Sequence, residues 1–172
     1  MALTQGHRTM TADRRLRDSL LAARPVIAAT FLDPWWIIGS AAMALSGVPG
    51  VVPQDIDVLC SRRDAEALKA RWKPHVDDAF SPQDAGRFRS LFARFTQLPM
   101  PLEAMGGLQV MSASGWQAVE VATTASADID GVAIPLPSLD EQRRILHLFG
   151  RDKDLAKAAL LIDFMKSPRH VA

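Results

Sequence analysis

Cysteine is almost absent from this chain. Cys60 is the single example in 172 residues, so neither an internal disulfide nor a cysteine-based zinc site can form, which fits a reducing compartment and sets a cytoplasmic expectation. An excess of either charge is missing too, because 20 Lys and Arg against 19 Asp and Glu leave a formal +1. No whole-chain field therefore favours a DNA duplex or a membrane as partner, and any such contact would have to be local. Apolar runs such as Pro25–Leu32 and Trp35–Ile38 fall well short of the ~18 residues of a membrane span. The start has no apolar targeting core, since Met1, Ala2 and Leu3 run at once into Thr4, Gln5, Gly6, His7 and Arg8. His7, His75, His147 and His170 show no metal-ligand spacing, and no repeat, low-complexity tract or long linker divides the chain.

What is present is an ordinary globular composition, 48% apolar and 23% charged, over a length that suits one hydrophobic core. A single domain over residues 1–172 is expected, with a core over about 26–135 and C-terminal helices over about 138–166. Thr11 and the spacing of Leu16, Leu20 and Leu21 predict a helix over Thr11–Ala23 that Pro25 ends. Trp35–Ile38 reads as a buried strand stopped by Gly39, followed by a short helix over Ser40–Ser46 and a loop at Gly47–Gly50. Asp55–Cys60 alternates like a half-buried strand and leads through Ser61 into a helix reaching about Trp72.

Arg87–Gln97 and Leu102–Val110 read as an antiparallel hairpin, Trp116–Ala122 as a further strand, and Ile129–Ile134 as a weak strand broken by Gly131. Ser138 and Glu141 have capping-box spacing, in which the serine accepts a backbone N–H and the glutamate reaches back. The helix they start ends at Gly150. A last helix from Asp152 places Leu155, Ala158, Ala159, Ile162 and Met165 on one face before Pro168.

The chemistry-bearing pattern is Gly39–Ser40, fourteen further residues, Asp55–Ile56–Asp57, and much later Glu103. A strand turns its side chains alternately, so Asp55 and Asp57 share a face while Ile56 and Val58 point into the core. Glu103 on a neighbouring strand brings a third carboxylate alongside, and mutual repulsion among three acids is relieved by hard, oxygen-seeking ions such as Mg²⁺. Gly39 lets backbone approach a phosphate, and Ser40 adds a hydroxyl beside the free N–H groups of a helix start. Phosphate on one side and two metal ions on the other is the arrangement nucleotidyl transfer requires.

These residues resemble the nucleotidyltransferase superfold of DNA polymerase beta, in its small bacterial branch of aminoglycoside nucleotidyltransferase-like and toxin–antitoxin proteins. Trp36–Leu45 is similar to that branch's glycine-serine helix start, Gln54–Leu59 to its second strand, Pro101–Gly106 to its third-acid strand and Leu148–Leu155 to its C-terminal helical segment. The resemblance covers roughly residues 35–165. It implies an α+β fold, with a mixed β-sheet flanked by helices and a C-terminal helical pair. It also implies that Asp55, Asp57 and Glu103 bind two Mg²⁺ ions, with Glu103 helping to deprotonate the acceptor hydroxyl. Gly39 and Ser40 would hold a nucleoside triphosphate, and Lys153 could reach a phosphate from the last helix. The acceptor would be a small molecule, a protein or an RNA end.

Two departures bear on that acceptor. Antibiotic-modifying members often carry a basic residue and a histidine just before the Asp–x–Asp strand, where this chain has Val51, Val52, Pro53 and Gln54. The roughly thirty residues after the sheet also leave little room for an acceptor-binding domain unless a second subunit supplies one, as a homodimer would. An alternative is a non-catalytic binding protein of the same fold, such as a toxin–antitoxin component. A phosphatase built on Asp–x–Asp fits poorly, because Leu59 stands where that chemistry usually has Thr or Val.

Overall fold

The structure is a computed structural model that describes residues 2–167, with side chains from Asp13 onward. Its elements in order are α1 (Ala2–Thr30), β1 (Trp36–Ile38), α2 (Gly39–Leu45), β2 (Ile56–Cys60), α3 (Arg62–Arg71), β3 (Phe88–Phe95), β4 (Leu102–Ser112), β5 (Gly115–Ala118), β6 (Thr124–Ile129), β7 (Val132–Pro137), α4 (Leu139–Phe149) and α5 (Asp152–Met165). This is the mixed α+β architecture expected from the sequence. The main sheet runs β1-β2-β4-β3. Only the β2–β4 pair is parallel, with Ile56 opposite Leu102 and Cys60 opposite Gly106. β5 pairs the far end of β4, on the edge that β2 leaves free.

Alternation along the strands divides the sheet into two faces. Ile56, Val58, Leu102, Ala104, Ala93 and Phe95 turn to a core closed by Leu16, Leu20, Ala23 and Ile27 of α1 and Ala65 and Leu68 of α3. Ile38, Leu59, Leu108 and Val110 turn the other way, toward Ile145 and Phe149 of α4. One extra residue in β4 makes the second set possible. Leu91 faces Gly106 whereas Arg89 faces Gln109, and the surplus residue sits at Gly107, whose φ of 62° is left-handed. Beyond this bulge the alternation of β4 is inverted, which carries Leu108 and Val110 onto the α4 side.

Three local expectations need correction. The first helix does not stop before Pro25, because α1 runs through it to Thr30, and Thr11 lies inside the helix rather than at its cap. Pro25 is exposed, while the turn after it buries Ile27 and Phe31. Burying two such side chains gains about 1.5–3 kcal/mol each, enough to offset the ~3 kcal/mol of an interior proline. The segment read as one weak strand over Ile129–Ile134 is a turn between two, with β6 and β7 paired from Thr124–Pro137 to Ile129–Val132. Asp130 and Gly131 form that turn, both at positive φ, as two-residue hairpin loops require. Finally, Ser138 does cap α4 by accepting from Glu141 N. Glu141 does not reach back, however, and accepts instead from Ala122 N and Arg144.

Candidate functional site

One transverse row of the sheet holds the candidate site. Ile38 of β1 faces Asp57 of β2, Asp57 faces Glu103 of β4, and Glu103 faces Arg94 of β3. Cross-strand partners project from the same face, so two acids and a base stand side by side next to the α4 layer. Asp55, just ahead of β2, turns the same way, and its Oδ2 lies 3.8 Å from the Arg94 guanidinium. The three acids picked out in the sequence therefore converge. Ile56 and Val58 between and beyond them are fully buried in the opposite face, which holds β2 in this register.

Electrostatics at the corner are unbalanced. Burial, followed by the negative charges of Asp55 and Glu103, pushes the Asp57 carboxyl well above the ordinary carboxylate range. Burial and the charge of Asp55 also raise Glu103, against the lowering effect of its bond to Arg94. Asp57 and Glu103 are themselves within hydrogen-bonding reach. Just beyond the acids on β2, burial pushes the Cys60 thiol up to about 12, so it stays protonated and acts as a small apolar side chain.

Gly39 meets the corner from the other side. Its φ is 68°, and a Cβ placed there would stand 2.9 Å from Asp57 Oδ2, so both conformation and contact require glycine. The residue before it, Ile38, occupies the N-cap position of α2 and cannot cap with its side chain, leaving the leading N–H groups of α2 without a side-chain acceptor. Ser40 is the second residue of α2 and is partly exposed. It stands inside the helix rather than capping it.

Two basic side chains at the corner escaped the sequence reading. Arg94 bonds Glu103 and has only 18% of its side chain exposed. Lys157 of α5 lies close enough for its charge to lower the Asp57 pKa. Lys153 is exposed one turn earlier on α5, on the same face as Lys157 by the i, i+4 rule. Lys157 was in principle legible from that spacing. Arg94 was not, because the sequence leaves the register of β3 on β4 open. Arg87 and Arg89, nearer the hairpin's open end, are occupied elsewhere: Arg87 donates to Phe149 O, and Arg89 bonds Gln109 and covers Trp116.

Among the described residues, no three Asp, Glu, His or Cys side chains are grouped so as to enclose a metal ion. At this corner Arg94 bonds Glu103, so Asp55 and Asp57 are the two carboxylates without a hydrogen bond to that arginine. The donor chemistry still fits a hard divalent cation, since every acid offers carboxylate oxygen and Asp57 is destabilised in its charged form by burial and then by its acidic neighbours. Behind Gly39, a hollow no larger than a water molecule lies between α2 and α4, lined by Ile38, Met43, Gln142 and Phe149. It is too small to admit a nucleotide.

The order β1-β2-β4-β3, the acids on β2 and β4, and the glycine-led helix after β1 can be set against solved structures. A Thermotoga maritima protein described as a nucleotidyltransferase superposes with a TM-score of 0.63 at 22% identity, over 85% of this chain and 91% of that one. This chain has the nucleotidyltransferase fold. The antibiotic-resistance factor ANT(2'')-Ia shares that fold with a TM-score of 0.53 at 15% identity, over 91% of this chain and 85% of that one. No protein-family model and no curated protein matches the sequence, so the nucleotidyltransferase fold is visible in the architecture rather than in overall sequence similarity. Among the described residues, no helix of this fold is long and apolar enough to cross a membrane.

Proposed function

We propose that the protein is a metal-dependent nucleotidyltransferase, moving a nucleoside monophosphate from a nucleoside triphosphate to a hydroxyl of a small molecule, a protein or an RNA end. The observation that carries this reading is the pairing of Asp57 with Glu103 across β2 and β4, with the charge of Asp55 acting on both. Asp55 and Asp57 would hold Mg²⁺, with Glu103 joining them. When bound, the ions would neutralise triphosphate charge and favour the ionised acceptor oxygen.

The chain's own residues do the rest. Gly39 and the first N–H groups of α2 receive phosphate oxygens, and Ser40 offers its hydroxyl to them. Lys157, with Lys153 one turn away, faces the same charge. The acceptor oxygen forms a new bond to the α-phosphorus, and the bond from that phosphorus to the bridging oxygen breaks. Pyrophosphate leaves with that electron pair. The acceptor's proton passes to the Glu103 carboxylate, whose pKa is raised by burial and by the charge of Asp55.

Labelled-nucleotide transfer and calorimetric triphosphate binding in Mg²⁺ test the reading. Wild type should bind and transfer, and the Asp55→Ala/Asp57→Ala double variant should do neither. Equal triphosphate binding by both would sink the proposal. A second reading, a non-catalytic binding component of the same fold, is favoured by the ion pair that occupies Glu103. Binding of a protein partner that survives removal of both aspartates, without any transfer by wild type, would decide for it.

A further inference from the structure

Arg94 is built into the acid corner from several directions at once. Its Nη1 bonds Glu103 Oε1 and lies 3.8 Å from Asp55 Oδ2. Its guanidinium carbon sits 4.4 Å from the centre of the Phe80 ring, and Phe80 in turn stacks on Phe92 with centroids 5.7 Å apart. The segment bearing Phe80 is tied to the same strand, since Asp77 N donates to Arg94 O at 2.8 Å. Guanidinium over an aromatic face is held by cation–π attraction and loses less freedom when it pairs. This is a prepositioned cation, aimed at two of the three carboxylates that the proposed reaction would use for metal.

We infer that Arg94 is the resident counter-ion of the acid corner and competes with a divalent cation for Glu103 and Asp55, so that it sets the metal affinity of the site. The inference rests on the metal-dependent reading above. Without Arg94, the corner would keep Lys157, whose charge acts on Asp57, as its identified positive neighbour. With Arg94 in place, an ion that takes Glu103 must displace a charge-assisted bond and accept a second positive charge close by. Arg94 is thus a positioning residue. It holds the acids together before metal binds, and the same contact weakens metal binding.

The test is calorimetric titration of the full chain with Mn²⁺, alongside thermal melting in chelator and in Mn²⁺. Arg94→Gln should bind Mn²⁺ about tenfold more tightly than wild type, the equivalent of ~1.4 kcal/mol. It should also melt lower in chelator and show a larger rise on adding metal. Arg94→Lys keeps the charge but loses the planar fork, and should bind with intermediate affinity, which gives a readout if the glutamine variant fails to fold. Unchanged or weaker Mn²⁺ binding by either variant overturns the inference. The parent reading fails separately: Asp55→Asn/Asp57→Asn should abolish Mn²⁺ binding, and if it binds like wild type the metal is not at this corner and both ideas fall. Absence of Mn²⁺ binding by wild type and Arg94→Gln alike also ends both.

Discussion

Asp57 and Glu103 stand directly opposite each other on adjacent parallel strands, close enough for their carboxyl groups to share a hydrogen bond. Such a pair is costly to keep charged, since burial and repulsion both oppose the second ionisation. Folding therefore favours the protonated form of Asp57, and at neutral pH its charged form carries a stability cost.

Asp57→Asn should accordingly raise stability while ending nucleotide transfer. Functional sites are commonly held at such a cost, and relieving it typically gains about 0.5–2 kcal/mol. Denaturant unfolding at neutral pH in chelator, compared with labelled-nucleotide transfer in Mg²⁺, measures the two effects. A variant less stable than wild type would contradict the account of the corner as electrostatically strained.

Gly39→Ala tests the close approach of α2 to the acids. The left-handed backbone costs about 1–2 kcal/mol for a residue with a Cβ, and that Cβ would press on Asp57 Oδ2. Melting should fall by a few degrees, and transfer should fall further than the loss of folded protein explains, because Asp57 must move. Circular dichroism and transfer rate on the same samples separate the two.

Lys157→Ala should weaken binding of a nucleoside triphosphate by about tenfold or more, the usual worth of a charge-assisted contact. Lys153→Ala should have a smaller effect, because Lys153 is more exposed. Titration calorimetry with a non-hydrolysable triphosphate and Mg²⁺ reads both. Equal losses, or a larger one at Lys153, would place the triphosphate higher along α5.

Glu141 supplies the pH dependence away from the site. Its bond to Arg144, and then the Ala122 N–H, hold its carboxyl below the usual range. A pKa lower in the folded state than in the unfolded one means that the stabilisation is fully present above the unfolded value of 4.5. It is lost as pH falls through the folded value. Glu141→Gln should cost about 1–3 kcal/mol at neutral pH and flatten the acid limb of a stability curve measured by urea unfolding between neutral pH and strong acid.

Much of this could be read before any coordinates. Ser61 and Ser138 cap the helices they precede and Gly150 ends α4 in a left-handed turn, because a cap involves only residues within one turn of each other. The shared face of Asp55 and Asp57 follows from the strand repeat in the same local way. Pro25 misled for the complementary reason: a local rule stops a helix there, and the burial of Ile27 and Phe31 by distant parts of the chain overrides it.

The sequence by itself determined β1 to β4, the serine caps of α3 and α4, the paired aspartates and the glycine that opens α2, all of which follow from backbone geometry over a few residues. Tertiary structure alone decided that Glu103 lies opposite Asp57, that Arg94 rather than Arg87 or Arg89 reaches the acids, and that Lys157 comes close enough for its charge to act on Asp57. Those facts depend on strand register, on the bulge at Gly107 and on how α5 packs against α2 and α4. Each is set by which apolar faces pack together across long separations, and the order of residues records that only indirectly.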